Sequence, residues 1–289
     1  MTKPPGTTRL LLALAGLALI SSCTTTRYDS AVTAAPELPA DVAMNKGAGR
    51  GMVLMVTVRM ENGDEFPCAV DTGAPASLLP GRLEPQLGKR VGAWKFSTLD
   101  STNEIEHLYL APKLYLGATP LVTGSRIGTW GQPYGVLGMD CLCHYCIQLD
   151  FETGKIRFLD SEGLNTAELG KAYPLKFHHY VYIHRSGLLG GRSSRSFIDT
   201  GCWMDGLEPA GRFRREFARQ RASLVPILKD GQITGSASDV AYFPASTWDG
   251  NTYTNLVIQK GESCLGLKFL ARHLVTLNFP KRVMYLKTQ

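Results

Sequence analysis

The sequence predicts a mainly β protein that contains two copies of one unit. One apolar, strand-like segment leads into Asp71-Thr72-Gly73, and a second leads into Asp199-Thr200-Gly201. A later glycine, Gly138 or Gly266, follows each aspartate by 67 residues. A repeat of this length and order indicates an internal duplication. The same offset of 128 residues relates two later strand-like segments, Ile147–Phe151 and Val275–Phe279.

The N-terminus is predicted to be an export signal and not part of the fold. Residues 1–22 combine a basic start with an apolar run that is too short to span a bilayer. Small residues precede Cys23, as in a bacterial lipoprotein signal peptide, so we expect cleavage before Cys23 and a lipid on its thiol. The alternative is an ordinary secretory signal with an incidental cysteine.

A lipid on Cys23 would place the protein in the bacterial cell envelope, with the fold facing the periplasm or the exterior. Thr24 follows Cys23 where inner-membrane lipoproteins often have Asp, and this resemblance favours the outer membrane. Residues 23–48 are rich in Thr, Ala and Pro, and they predict a flexible tether.

Two lobes are expected after the tether, lobe 1 over residues 49–160 and lobe 2 over residues 174–289, with 161–173 as the linker. In each lobe two strands joined by a glycine-containing turn precede the Asp-Thr-Gly sequence, so a hairpin should present each aspartate. Short helices are expected after the later glycines, at Met139–Tyr145 and Leu267–His273.

Composition argues against several other classes of function. Removal of residues 1–22 lowers the formal charge from +6 to +4, a mild excess that gives no reason to expect a nucleic-acid partner. The histidines lack His-Glu-x-x-His spacing, and the sequence has neither a phosphate-binding loop nor a Ser-His-Asp order.

Six cysteines remain once Cys23 is set aside, and their state stays open. Disulfides, free buried thiols and, less favoured, a metal site around Cys141–Cys146 are the alternatives. A structural zinc site needs a second ligand cluster, which the sequence lacks, so we expect neither a metal nor a cofactor. The six are Cys68, Cys141, Cys143, Cys146, Cys202 and Cys264.

Two Asp-Thr-Gly turns, each followed by an apolar-apolar-Gly segment, resemble the two lobes of a pepsin-type aspartic protease. Each lobe alone resembles a retropepsin unit, and the resemblance covers roughly Gly51 to Lys287. It implies two tandem retropepsin-like β-barrel lobes, the pepsin-like acid protease fold, with an active-site cleft between them. In lobe 1 it places a flap between Gly92 and Tyr109, tipped by Asp100–Asn103. Trp94 and Tyr109 could serve as the flap aromatic, although ordinary sheet packing is favoured for both.

The same resemblance implies an aspartic endopeptidase whose catalytic residues are Asp71 and Asp199. Ionisation of two adjacent carboxyl groups is unfavourable because their charges repel, so they share one proton. The ionised group then acts as general base on an attacking water, and the protonated group acts as general acid. A peptide or protein would bind in an extended conformation. A single chain carries both aspartates, so a monomer suffices for activity.

Four turn residues are expected to support the pair. By the same resemblance, Thr72 and Thr200 cross-brace the two turns, while Gly73 and Gly201 keep side chains away from the carboxylates.

The sequence departs from the pepsin-like pattern at two places. Ala74 and Cys202 stand where pepsin-like enzymes have Ser or Thr, so the hydroxyl that favours carboxylate ionisation is missing. We therefore expect the dyad to titrate higher than in pepsin, with activity at mildly acidic to near-neutral pH. Ser263–Gly266 is also less apolar than its lobe 1 counterpart.

The alternative function is an inactive peptide-binding or scaffolding lipoprotein, in which the arginine-rich segment 211–219 could dock a partner.

Overall fold

A computed structural model describes residues 41–96, 104–178, 180–229 and 232–289. Residues 1–22, Cys23, most of the predicted tether and the predicted flap tip Asp100–Asn103 lie outside these ranges. The described chain is mainly β, as predicted. It has three α-helices, α1 (Met139–Leu142), α2 (Ala210–Gln220) and α3 (Leu267–Leu270), and 3-10 turns at Gly81–Gln86 and Thr166–Glu168.

The strands of the first half, in chain order, are β1 (Asp41–Ala43), β2 (Met55–Met60), β3 (Glu65–Val70), β4 (Leu78–Pro80), β5 (Gly92–Phe96), β6 (Glu104–Leu110), β7 (Leu114–Leu116), β8 (Thr119–Pro120), β9 (Arg126–Trp130), β10 (Gly135–Leu137), β11 (Cys146–Asp150) and β12 (Lys155–Leu159). Those of the second half are β13 (Lys171–Pro174), β14 (Lys176–Phe177), β15 (Val181–Gly187), β16 (Gly190–Asp199), β17 (Gly206–Glu208), β18 (Ser223–Lys229), β19 (Gln232–Trp248), β20 (Asn251–Lys260), β21 (Cys264–Gly266), β22 (His273–Asn278) and β23 (Val283–Thr288).

Each lobe has its own sheet, and the two sheets repeat one topology. The lobe 1 sheet has the order β5-β6-β9-β4-β10-β3-β2-β7-β8, and the lobe 2 sheet has the order β18-β19-β20-β17-β21-β16-β15-β14. The first seven strands of each order correspond one to one, with the same parallel or antiparallel sense at every step. The duplication read from sequence is therefore present in the fold.

A third sheet joins the lobes, in the order β1-β12-β11-β22-β23-β13. Its central strands β11 and β22 come from different lobes and are antiparallel, with Gln148 opposite Thr276. These two residues are 128 positions apart, and the Gln148 side chain donates a hydrogen bond to the Thr276 hydroxyl at 3.0 Å. A pseudo-twofold axis between the lobes therefore passes through this pair. The main apolar core is continuous from one lobe to the other.

The expected closed barrels are not seen in the described residues, where all three sheets are open. The reason lies in strands β11, β12, β22 and β23. All four lie in the shared sheet, where β11 and β22 pair across the lobe boundary, and none of them returns to the sheet of its own lobe, so neither lobe closes upon itself.

The predicted tether and linker both extend too far. Asp41–Ala43 pairs with β12, and Asp41 forms ion pairs with Lys155 and Arg157, so ordered structure begins before residue 49. Asn45 also has a fixed place, because its side-chain Oδ1 accepts a hydrogen bond from the Met55 N–H at 2.8 Å. The end of the linker is strand β13, which pairs with β23. The helices α1 and α3 begin where predicted but end after one turn.

Candidate active site

The two Asp-Thr-Gly turns stand at the ends of equivalent strands. Strand β3 ends at Val70, directly before Asp71, and the Asp71 N–H donates to the Leu137 carbonyl on β10 at 3.0 Å. Strand β16 ends at Asp199, which lies beside Gly266 on β21. In both lobes a hairpin and a neighbouring parallel strand fix the aspartate, because the apolar sequence before it is buried as a sheet strand.

Thr72 and Thr200 tie the turns together across the lobe boundary. The Thr72 N–H donates to Thr200 Oγ1 at 3.0 Å, and the Thr200 N–H donates to Thr72 Oγ1 at 3.1 Å. Each hydroxyl then donates to a carbonyl of the opposite lobe, Thr72 to Ile198 at 2.7 Å and Thr200 to Val70 at 2.6 Å. Both threonines are fully buried. The two threonines thus form a reciprocal brace between the lobes, at the positions where the family resemblance implied one.

Each aspartate is held by backbone donors of its own turn. Oδ1 of Asp71 accepts from the N–H groups of Gly73 at 2.8 Å and Ala74 at 3.1 Å. Oδ1 of Asp199 accepts from Gly201 at 2.9 Å and Cys202 at 3.0 Å. Fixed amide donors orient a carboxylate without placing a formal charge beside it.

The glycines let the two carboxyl groups approach each other. A methyl group on Gly73 would lie 2.5 Å from Oδ1 of Asp199, and one on Gly201 would lie 2.4 Å from Oδ2 of Asp71. Both distances are well below van der Waals contact, so only glycine fits at either position. Each carboxyl group therefore faces the glycine of the opposite turn, which brings Asp71 and Asp199 close enough to affect each other's pKa.

Proximity and burial shift the titration of both groups. Burial, followed by the negative charge of Asp199, raises the pKa of Asp71 to about 7, although backbone hydrogen bonds oppose the shift. Burial also raises the pKa of Asp199, and its backbone and Asp71 hydrogen bonds oppose that shift. The pair can therefore hold one proton at mildly acidic to near-neutral pH. The residues after the turns, Ala74 and Cys202, give the carboxylates a backbone N–H but no hydroxyl.

Sequence reasoning missed a small apolar cluster beside each turn. In lobe 1 it includes Ala69, two residues before Asp71; in lobe 2 it includes Phe197, two residues before Asp199. The alternation of side chains along a strand could have revealed these clusters, because residues two positions apart lie on the same face of a sheet. The lobe 1 cluster comprises Met55, Ala69, Ala74, Leu78, Trp94, Trp130, Tyr134 and Val136. The lobe 2 cluster comprises Phe197, Cys202, Met204, Leu207, Val225, Val240, Val257 and Cys264.

A hairpin is present where the lobe 1 flap was predicted. Strands β5 and β6 pair from Gly92 opposite Leu108 to Phe96 opposite Glu104. Tyr109 is a buried sheet residue whose hydroxyl donates to Glu84, so it is not available as a flap aromatic. Trp94 lies in the apolar cluster beside Ala74.

Lobe 2 has an equivalent hairpin that the sequence did not reveal. Strands β18 and β19 pair from Ser223 opposite Tyr242 to Lys229 opposite Gln232. Its strands take the sheet positions of β5 and β6. Val225 and Val240 connect this hairpin to the apolar cluster of the Asp199 turn.

Other site types find little support in the described residues. The six cysteines there are free thiols, and no three His, Cys, Asp or Glu side chains converge in these ranges as a metal site would require. Two cavities of about 600 and 400 Å³ are lined by residues other than the aspartates. No described helix is long and apolar enough to cross a bilayer. The lipid anchor on Cys23 stays a prediction.

Comparison with known proteins assigns no family. No protein-family model matches the chain, and no curated protein matches it either. The geometry of the two turns is therefore the basis for assigning a function.

Proposed function

We propose that this protein is an aspartic endopeptidase with the bilobal, retropepsin-like architecture of the acid proteases. The observation that supports this best is the paired site. Two half-buried carboxyl groups from equivalent turns each face the glycine of the opposite turn, and a reciprocal threonine brace holds the turns together. Partial removal from water raises the pKa of both groups at a cost to folding, and such perturbed pairs are typical of catalytic sites, so this pair favours catalysis over a structural role.

In the proposed mechanism the dyad works with one proton. Asp71 is protonated and donates to the ionised Asp199. Asp199 then accepts a proton from a bound water, and the resulting hydroxide attacks the peptide carbonyl carbon. At the same time Asp71 gives its proton to the carbonyl oxygen, which yields a tetrahedral diol. Asp199 then gives its proton to the amide nitrogen while Asp71 takes a proton from one diol hydroxyl, so the C–N bond breaks, the acid and amine products are freed, and the dyad returns to its starting protonation state.

The surroundings of the dyad favour an extended peptide with apolar side chains. An apolar cluster adjoins each turn, and the lobe 1 cluster contributes three aromatic residues, Trp94, Trp130 and Tyr134. Trp203 directly follows Cys202 and is 43% exposed, so a large apolar side chain faces solvent beside the dyad. Hairpins β5–β6 and β18–β19 offer strand edges with which an extended peptide could pair. We propose cleavage between bulky apolar residues.

The test is cleavage of an unfolded protein mixture by the purified protein between pH 3 and pH 8, with product termini read by mass spectrometry. Asp71→Asn should lower the rate by about 10³-fold or more, because the pair loses its shared proton. Asp160→Asn, an exposed acid outside the site, is the matched control and should keep full activity.

Two results would count against the proposal. Equal cleavage by the wild type and Asp71→Asn would indicate a contaminating protease or another site. No cleavage by a folded wild-type protein at any pH would favour the alternative function, a peptide-binding or scaffolding lipoprotein. In that case, binding of a labelled unfolded peptide would be measured next.

A further inference from the structure

Two thiols meet beside the turn that carries Asp199. Cys202 directly follows Gly201 and is completely buried, and Cys264 on β21 is 5% exposed. Strand β21 lies parallel to β16 with Cys264 opposite Phe197, so the second thiol is next to the strand that leads into Asp199. Both thiols belong to the lobe 2 apolar cluster, and the Cys202 sulfur lies 3.0 Å from the place that a Cβ on Gly266, two residues after Cys264, would take.

The equivalent place in lobe 1 has no sulfur. Positions 128 residues earlier are occupied by Ala74 and Val136, which contact the lobe 1 apolar cluster in the same way. The backbone frame is the same in both lobes, because β10 and β21 pair with the same sense to their neighbours. An apolar pair therefore satisfies this packing site, and the thiol pair is a chemical difference specific to lobe 2.

We propose that Cys202 and Cys264 form a disulfide when the chain folds in the presence of a low-molecular-weight disulfide such as oxidised glutathione. A protein thiolate attacks the oxidant's S–S bond, forming a mixed disulfide and releasing one glutathione thiol. The second protein thiolate then attacks the mixed disulfide and releases the other. Two protein S–H bonds and one oxidant S–S bond are replaced by one protein S–S bond and two glutathione S–H bonds.

The exchange takes place while the chain is folding and not in the closed structure. Contact with the Cys202 thiol and burial raise the pKa of Cys264 well above its ordinary value, so its thiolate is scarce in the folded protein. Neither sulfur is then exposed to an oxidant. The same burial protects the bond from small reductants after it has formed.

The bond would tie the Asp199 turn to its neighbouring strand. Cys202 and Cys264 are 62 positions apart, so the cross-link closes a long loop and removes entropy from the unfolded chain. A loop of this size raises the melting temperature by roughly 10 °C in a protein of this length. The lobe 2 half of the dyad would thereby be the more firmly fixed half.

The experiment refolds the full chain from denaturant with either reduced or oxidised glutathione. The oxidised preparation should be about 2 Da lighter, since two hydrogen atoms leave. Peptide mapping without reduction should find residues 202 and 264 in one cross-linked product. The melting temperature should be higher by roughly 10 °C, and reduction under unfolding conditions should abolish this gain.

Cys264→Val places the lobe 1 residue at the lobe 2 position, and it should remove both the cross-link and the oxidant-dependent melting shift. Cys143→Ser, at a cysteine outside the pair, should keep both. The proposal is overturned if Cys202 and Cys264 stay free after oxidation, or if mapping joins another pair such as Cys68 and Cys141. These readouts are a mass and a temperature, so they hold whether or not the protein cleaves peptides.

Discussion

Removal of one hydroxyl of the threonine brace is the most direct test of how the lobes are held together. Thr72 is 1% exposed, and its hydroxyl donates to the Ile198 carbonyl while accepting from the Thr200 N–H. Thr72→Val keeps the β-branched shape of the side chain, so no cavity is expected. The substitution leaves two buried backbone groups without their hydrogen-bond partner.

The cost follows from those two groups. A buried donor or acceptor without its partner costs about 1–3 kcal/mol, so the Ile198 carbonyl and the Thr200 N–H together cost about 2–6 kcal/mol. In a chain of this size the melting temperature falls by roughly 2–4 °C per kcal/mol, which gives a loss of about 4–24 °C. Thr200→Val should cost a similar amount, because its bonds mirror those of Thr72.

Urea unfolding followed by tryptophan fluorescence measures this loss, since the chain has four tryptophans. Thr247→Val is the matched control, because Thr247 is exposed and its hydroxyl lies 3.4 Å from the Thr252 hydroxyl on the same hairpin. It should change the free energy of unfolding by less than about 0.5 kcal/mol. A loss below about 1 kcal/mol in Thr72→Val would refute the reasoning, since it would mean that water or another group replaces the brace.

Three further predictions concern the dyad and a buried histidine. Ala74→Ser adds a hydroxyl beside Asp71 that favours its ionised form, so the acidic limb of the pH–rate profile should move to lower pH by about one unit; an unmoved limb would contradict this. Gly73→Ala puts a methyl group 2.5 Å from Oδ1 of Asp199, so a peptide assay should detect almost no cleavage; near-normal activity would show that the turn can shift. Burial lowers the pKa of His273 in the folded protein. The unfolded chain therefore binds a proton at this histidine more readily than the folded one, and the free energy of unfolding should fall as pH decreases below about 6.5. Melting curves between pH 7.5 and 5 should lose this contribution in His273→Gln, and an unchanged slope would exclude His273 as its source.

The paired site could be predicted because the equal spacing of the motifs along the chain reveals the duplication. Asp71 and Asp199 stand at the same place in two copies, and the equal distance to Gly138 and Gly266 shows which strands are equivalent. Hairpins before each turn follow from local sequence, since their residues are neighbours along the chain. The proximity of the two aspartates is a tertiary property, and only the family resemblance suggested it.

Other features depend on partners that local sequence does not specify. Strand β19 runs for 17 residues through Pro244, because it pairs on one side with β18 and on the other with β20. Asp41–Ala43 lies in a tether-like composition, yet it is a strand because its backbone pairs with β12, where Lys155 and Arg157 also bind the Asp41 carboxylate. The open sheets have the same origin, since β11 finds its partner β22 in the other lobe.

The two lobes share a backbone arrangement but differ in side chains at equivalent positions, and one contact shows how such a difference is accommodated. In lobe 1 the Ser77 hydroxyl donates to Oδ1 of Asp140 at 2.7 Å. At the equivalent positions of lobe 2 the acid is Asp205 and its partner is Lys268, at 3.4 Å, so the carboxylate has changed sides of the same contact.

This exchange is possible only if both positions change together. The Asp205 side chain is fully buried, and Arg272 at 3.0 Å and the Val257 N–H at 2.8 Å supply further partners. A buried acid without these cations would cost about 3–5 kcal/mol. Each lobe therefore has its own matched partners for the acid at this contact, a hydroxyl in lobe 1 and cations in lobe 2. At the dyad the two lobes contact each other, so one shared constraint accounts for an Asp-Thr-Gly turn in both.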